Sequence, residues 1–268
     1  MDNKKLIIIV ILIILLLAYN QVQISKFKIN KVLIESEKLN SEIRISQITD
    51  FHSNKHINIV KIAKSIEEFD PDIIVLTGDI IDTKTRDLST AFALVDVIIS
   101  LEKPIYFVEG NHEGQNANEL QFLGGLEERG VYLLDNKTTM LNIEGVNARI
   151  MGLPFFAQED QFMRVLDKAK PDIYDILLSH SPNRPLKYLD DRIDLVLSGH
   201  THGGQVRLPI IGGIVAPGQG FFPKYDKGVI RLENGPILYI DSGLGNSLLP
   251  IRFLNRVQIS EIRLKPLE

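Results

Sequence analysis

After residue 41, short apolar runs alternate with segments of helical spacing. Residues 43–49, 72–77 and 104–108 have the length and β-branched content of strands. Between and after them, 57–69 (Ile59, Ile62 and Ile66 on one face), 89–101 and 118–128 have helical periodicity, and Gly130 ends the last. This βαβαβα order predicts a parallel sheet with right-handed crossovers. Residues 131–134, 138–143 and 148–152 then follow in quick succession, separated by Asp135-Asn136 and Glu144-Gly145, and are expected to pair antiparallel. A short helix at 160–169 precedes buried strands at 172–178 and 193–197. Beyond Gly203 only strands are expected, at 205–208, 228–232, 237–241 and 257–264. An α/β fold of two mixed sheets packed face to face, with helices outside, accommodates this order.

The N-terminus has a different pattern. Met1-Asp2-Asn3-Lys4-Lys5 precedes an apolar run over 6–18, which Tyr19-Asn20-Gln21 follows. Thirteen helical residues rise only about 20 Å against a hydrocarbon core of about 30 Å. A charged start, a run of this length and no small-x-small cleavage site fit an uncleaved hydrophobic signal anchor helix. Residues 1–24 are therefore expected as a single-pass transmembrane segment. Residues 25–40 read as a tether with an edge strand at 31–35, and 41–268 as one domain. Lys4 and Lys5 stand against Lys26, Lys28 and Lys31 beyond the run. Short leading anchors usually insert with the N-terminus inside, which puts the domain on the extracytoplasmic side of the cell membrane.

Composition narrows the chemistry. The 268 residues include 30 basic and 34 acidic side chains, with no basic cluster of the kind nucleic acids require, so no nucleic-acid partner is expected. There is no cysteine, so a metal here must use nitrogen and oxygen ligands.

Of the six histidines, only His56 lies outside a short polar motif. The motifs are Asp50-Phe51-His52, Gly78-Asp79-Ile80-Ile81-Asp82, Gly110-Asn111-His112-Glu113, Ser179-His180-Ser181 and Gly199-His200-Thr201-His202-Gly203-Gly204-Gln205. Each follows a run that reads as a buried strand. Taken singly, most of them are turn chemistry or a strand-end histidine. Together, in order at strand ends, imidazole, carboxylate and amide groups make a metal site on an α/β sheet. Asp50, His52, Asp79, Asn111, His180, His200 and His202 are seven candidate ligands. Two divalent cations against two carboxylates and one bridging hydroxide leave a net charge of about +1, suited to a phosphate ester and to a hydroxide nucleophile at neutral pH.

These motifs closely resemble the calcineurin-like metallophosphoesterase superfamily, from about residue 43 to 264. The tail Gly199-His200-Thr201-His202-Gly203-Gly204-Gln205, with Asp241-Ser242-Gly243-Leu244-Gly245 and Leu249-Pro250-Ile251-Arg252-Phe253, is similar to its membrane-associated bacterial branch, which includes UDP-diacylglucosamine pyrophosphatases and phosphodiesterases. The resemblance implies a four-layer α/β/β/α sandwich. It assigns Asp50, His52 and His202 to one metal, Asn111, His180 and His200 to a second, and Asp79 to a bridge. His112 would be the acid beside the leaving group or a donor to the transition state, with Asp82 orienting its imidazole and Glu113 supporting the loop. An imidazole next to a ligand but not itself a ligand has independent sense as a proton donor. Two departures matter: Thr83 stands where protein phosphatases of the superfamily carry arginine, and 252–260 lacks the usual Pro-Glu pattern.

The expected activity is a dinuclear phosphodiesterase or pyrophosphatase at a membrane surface. Its substrate would be a phosphoester, lipid-linked ahead of soluble nucleotides. Nitrogen and oxygen ligation suits two Mn²⁺ ions first, with Fe or Zn²⁺ as alternatives. The rivals are a nucleotide or cyclic-nucleotide phosphodiesterase or nuclease on the same chemistry, and a metal-binding scaffold without turnover.

Overall fold

The computed structural model describes residues 3–233, 235–246 and 249–267. In chain order the first half comprises α1 (Asn3–Ser25), β1 (Lys28–Ser36), β2 (Ile43–Ile48), α2 (Ile59–Phe69) and β3 (Ile73–Leu76). It continues with α3 (Ser89–Ile99), β4 (Ile105–Phe107), α4 (Asn111–Gly114), α5 (Glu119–Glu128) and β5 (Tyr132–Leu133). The second half contains β6 (Thr138–Met140), β7 (Ala148–Leu153), α6 (Glu159–Leu166), β8 (Tyr174–Ser179) and β9 (Leu195–Ser198). Short pairs follow, β10 (Arg207–Leu208) with β11 (Gly212–Gly213) and β12 (Val215–Ala216) with β13 (Gly220–Phe221). The closing strands are β14 (Gly228–Arg231), β15 (Ile237–Ile240) and β16 (Gln258–Pro266).

Two six-stranded mixed sheets form, in the orders β1-β16-β2-β3-β4-β5 and β14-β15-β9-β8-β7-β6. Strands β2 to β5 run parallel, as do β7, β8, β9 and β15. Ile45, Ile73 and Val75 of the first sheet pack against Ile150, Ile176, Leu195 and Leu197 of the second. On the outer face of the first sheet, Ile62 and Ile66 of α2, Leu94 and Val95 of α3 and Phe122 of α5 bury against Ile48, Leu76 and Phe107. On the far side, Phe162 and Val165 of α6 cover Leu177 and Val196. The result is the expected four-layer α/β/β/α sandwich. Both sheets have layers on each face, so their parallel strands are rich in buried Ile, Leu and Val, with polar exceptions such as Arg149 of β7, which pairs with Asp175 of β8 at 2.7 Å.

Three expectations change. Residues 131–134 do not join an antiparallel stretch: β5 pairs parallel with β4, and only β6 and β7 form the antiparallel pair. The chain passes from one sheet to the other at Leu134, against Gly152 of β7, where a Cβ would come within 2.5 Å of Leu134. Residues 25–40 do not hang as a tether. Residues 28–36 form a full edge strand in register with β16, with Val32 and Ile34 buried in the core. Finally, α1 runs on past its apolar run to Ser25, 23 residues and about 35 Å in all. Its polar last turns are held by the domain through Asn20, Tyr19 and Gln23. Among the described residues it is the one helix long and apolar enough to cross a membrane.

Candidate metal centre

All seven expected ligands lie just beyond the ends of β2, β3, β4, β8 and β9, at the edge where both sheets deliver their parallel strands. Five of them, Asp50, His52, Asp79, His200 and His202, have φ between 47° and 69°, a left-handed backbone rarely adopted away from glycine. Such conformations persist where the surroundings hold them. Gly78, at φ 84°, shows how tightly this happens: a Cβ there would lie 2.7 Å from Gly110 N and 2.8 Å from His180 Nδ1.

The side chains converge in a line. His202 Nε2 lies 3.5 Å from Asp50 Oδ1, and His52 Nε2 lies 3.9 Å from Asp50 Oδ1 and 3.8 Å from Asp79 Oδ2. Asp79 Oδ2 in turn lies 3.0 Å from His180 Nε2, which is 3.2 Å from His200 Nδ1. Two groups able to hold an ion result, Asp50/His52/His202 and Asp79/His180/His200. His52 and Asp79 also group with His112, so Asp79 stands between the two.

The donor chemistry fits divalent cations. Both nitrogens of His52 and the Oδ1 of Asn111 are buried without a hydrogen-bond partner, an arrangement costly for polar atoms unless something else binds them. Burial holds His52 down at about 4 and His200 at about 3, the latter with help from the His180 charge, and His202 well below its usual range. Three imidazoles are thus neutral, with lone pairs to offer, at physiological pH. Burial opposes the charge on His180, yet the Asp79 and Asp50 carboxylates raise it to about 10. That imidazolium holds Asp79 well below the carboxylate range despite its burial, whereas burial pushes Asp50 up to about 7. His180 Nδ1 lies 2.7 Å from Thr77 O, so Nδ1–H donates there and Nε2 is aimed at Asp79.

His112 and Asp82 lie beside this line. The Thr83 N–H donates to His112 Nδ1 at 3.0 Å, with the Thr83 hydroxyl also 3.0 Å away. Asp82, expected to orient the ring, has one carboxylate oxygen turned to accept from Lys84 N–H at 2.8 Å. Its other oxygen lies 3.4 Å from His112 Nδ1 and 3.7 Å from His52 Nδ1. Because Nδ1 accepts from an amide, the neutral His112 ring carries its proton on Nε2, which lies 3.9 Å from Asp79 Oδ2.

Sequence reasoning underrated Glu113 and missed Phe155. The Glu113 carboxylate accepts from four amides: Asp79, Ile80, Ile81 and Gly110, at 2.6–3.2 Å. Burial and the Asp79 charge push it up to about 8, while four partners that are all donors favour its charged form. It locks the Gly78-Asp79 turn to the Gly110-Asn111 turn. In Glu113→Gln an NH₂ group would face amide donors, so a loss of about 2–3 kcal/mol is expected. That corresponds to a fall in melting temperature of roughly 5–10 °C, and an unchanged melting curve would contradict the bracing role. The Phe155 ring lies 5.3 Å from His200, with Arg184 4.9 Å above it. An apolar residue after a strand carried no signal of this contact. The centre opens into a cavity of about 380 Å³ lined by site residues and by Gln205, Val215, Ala216 and Pro217.

Comparison with known proteins agrees with this geometry. The family model described as calcineurin-like phosphoesterase matches residues 43–204. The metallophosphoesterase YkuE of Bacillus subtilis is 30% identical over 229 residues, covering 83% of this chain and 79% of that protein. A Danio rerio protein named for a transmembrane character and a metallophosphoesterase domain is 27% identical, and 89% of this chain spans 57% of it. A dimetal phosphatase from Danio rerio shares the fold with a TM-score of 0.52 at 11% identity, over 83% of this chain and 99% of that one. Family model, relatives and clustered ligand groups together place this chain in the calcineurin-like phosphoesterase family, as a metal-dependent phosphoester hydrolase.

Proposed function

We propose that the chain hydrolyses a phosphodiester or pyrophosphate presented at a membrane surface, using two divalent cations. The observation that carries this reading is the unbroken line of buried donors from His202 through Asp50, His52 and Asp79 to His180 and His200. Asp50, His52 and His202 would hold one cation and Asn111, His180 and His200 the other, with Asp79 shared. When bound, these ions would supply Lewis-acid charge at the phosphoryl oxygens and acidify a water toward neutrality.

The chain's own groups divide the remaining work. The Thr83 amide keeps the neutral His112 ring's N–H on Nε2, on the Asp79 side, where it can donate a hydrogen bond to a phosphoryl oxygen. To act as the acid toward the departing oxygen, the ring would first take a second proton at Nδ1, beside the Thr83 hydroxyl and the Asp82 carboxylate. The Asp82 carboxylate, between His112 and His52, stabilises the positive charge either ring acquires. Mn²⁺ is the ion of this reading, on ligands that Fe or Zn²⁺ would also accept.

Support for a lipid-linked substrate comes from α1, whose exposed Ile and Leu side chains suit hydrocarbon on every face. With its N-terminus inside the cell, the domain would meet its substrate on the extracytoplasmic face of the cell membrane. Purified full-length chain should hydrolyse bis-p-nitrophenyl phosphate when loaded with Mn²⁺ and lose that turnover in EDTA. It should also release phosphate-bearing products from total membrane lipids. Absence of metal-dependent turnover on every phosphoester tried would reject the reading.

A further inference from the structure

Beyond the site, the largest unexplained surface is apolar and lies in two loops, 208–222 and 249–254. Ile210, Ile211, Phe221, Phe222, Ile251 and Leu254 are all exposed there, and Ile210 is bare to water at 107% of its reference area. Large apolar residues scattered singly need no explanation, but a set on adjoining loops does. Ile210, Phe222 and Leu254 also have φ of 71°, 54° and 50°. Glycine or asparagine would relieve such a backbone, and for β-branched or bulky residues it is strained. The fold holds these side chains outward at a cost.

The two loops are one body, and that body grips α1. Phe253 N–H donates to Gln205 O, Arg207 N–H to Phe253 O and Gln205 Nε2 to Leu249 O, at 2.9–3.2 Å. Asn20 of α1 donates to Pro250 O at 2.8 Å and accepts from Arg252 N–H at 2.9 Å. Leu254 N–H donates to the Tyr19 hydroxyl at 3.1 Å, and the Tyr19 and Phe253 rings lie 5.6 Å apart. The 249–254 loop therefore meets α1 at Tyr19 and Asn20, where its apolar run ends, and its hydrogen bonds to Gln205 and Arg207 hold the 208–222 loop beside it.

We propose that these loops form a collar seated in the lipid bilayer, which holds the mouth of the metal-site cavity against the membrane. The proposal rests on the reading of α1 as membrane-embedded. The apolar part of α1 covers about 20 Å of a core of about 30 Å. A short span is accommodated by thinning the bilayer or by drawing flanking groups in. The collar supplies apolar flanking groups at the required level and sinks to the headgroup–acyl boundary, about 5–10 Å deep. Val215 and Ala216, the first strand of the collar's second hairpin, and Pro217 in its turn wall the cavity. A phosphoester on a lipid thus reaches the metal centre along the collar without leaving the interface.

The chain has no cysteine, so single labels are clean. Full-length chain with a cysteine at Ile210, Phe222 or Leu254 is labelled with an environment-sensitive fluorophore and reconstituted into phosphatidylcholine–phosphatidylglycerol vesicles. Labels at Leu12 in α1 and at the exposed Val60 and Leu120 serve as references. Collar labels should become several-fold less accessible to aqueous iodide and be quenched by lipids brominated near the headgroup. Val60 and Leu120 labels should remain open to iodide and untouched by the brominated lipid. Collar labels that stay as open as Val60, while Leu12 is lipid-quenched, would overturn the collar and leave the anchor standing. Labels shielded from iodide but not quenched by lipid would mean a protein partner or a second copy, and would also overturn it. A Leu12 label outside the lipid would remove both. None of these readouts depends on turnover, so loss of the catalytic reading would leave the result intact.

Discussion

Asp79→Ala is expected to lower metal-dependent turnover by roughly 10³-fold or more, since Lewis-acid stabilisation is worth several kcal/mol and each 1.36 kcal/mol is tenfold. Metal content measured by mass spectrometry should fall with it. No other side chain at the site is placed to matter as much. One Asp79 oxygen accepts the His112 N–H at 2.9 Å, while the other faces His52 at 3.8 Å and His180 at 3.0 Å. Removing the carboxylate leaves the buried His180 ring without the charge that most raises its pKa, and takes a member from the Asp79/His180/His200 and His52/Asp79/His112 groups. Asp79→Asn separates the contributions, because it retains an acceptor for the His112 amide but lacks the charge. Its metal affinity should resemble that of alanine and its thermal stability that of wild type. Full metal occupancy in Asp79→Ala would refute the shared-ligand assignment.

His112→Asn should do the opposite: keep both ions bound and lower kcat by about 10²–10⁴-fold, the usual contribution of a positioned acid. The size of the loss should depend on the substrate. A p-nitrophenolate leaves without help, so its release should suffer least. An alkoxide leaving group needs the Nε2 proton and should show the whole deficit. Equal losses on both substrates would shift His112 from proton donor to transition-state positioning, and lost metal would make it a ligand. A non-catalytic scaffold would show no turnover in the parent chain to lose.

The strand ends were legible because both sheets are covered on each face. Burial makes β3 and residues 195–197 of β9 continuous apolar runs and keeps Ile and Leu dense in β2 and β8 despite Arg44, Gln47 and Asp175, and a polar motif after such a stretch stands out. Short elements were less readable. Tyr132–Leu133 carries two residues of signal, and its sheet is decided by where Leu134 can pass Gly152, a contact made only in three dimensions. The edge strand β1 mixes Lys, Asn and Glu with Val, Leu and Ile along an exposed rim, so only its 31–35 stretch read as strand and its start as tether. At the site, the groups that escaped were mainly backbone ones. The Thr83 amide on His112 and the Thr77 carbonyl on His180 are donors and acceptors any residue could supply. The collar was hidden for a related reason. Ile210, Phe222 and Leu254 have backbones that their side chains would not choose, and loops rich in Gly and Pro read as turns.

The order of strands in the first sheet has a consequence for biogenesis. Strand β16 lies between β1 and β2, parallel to one and antiparallel to the other, yet it is synthesised after every other strand of either sheet. At about 20 residues per second, roughly ten seconds separate translation of β2 from that of β16. Throughout that interval β1 and β2 have between them an open slot with unpaired amides and carbonyls on both of its banks, an invitation to wrong partners. Closure of the slot has to await β16, and chaperone dependence should be sharpest for nascent chains stalled just short of it.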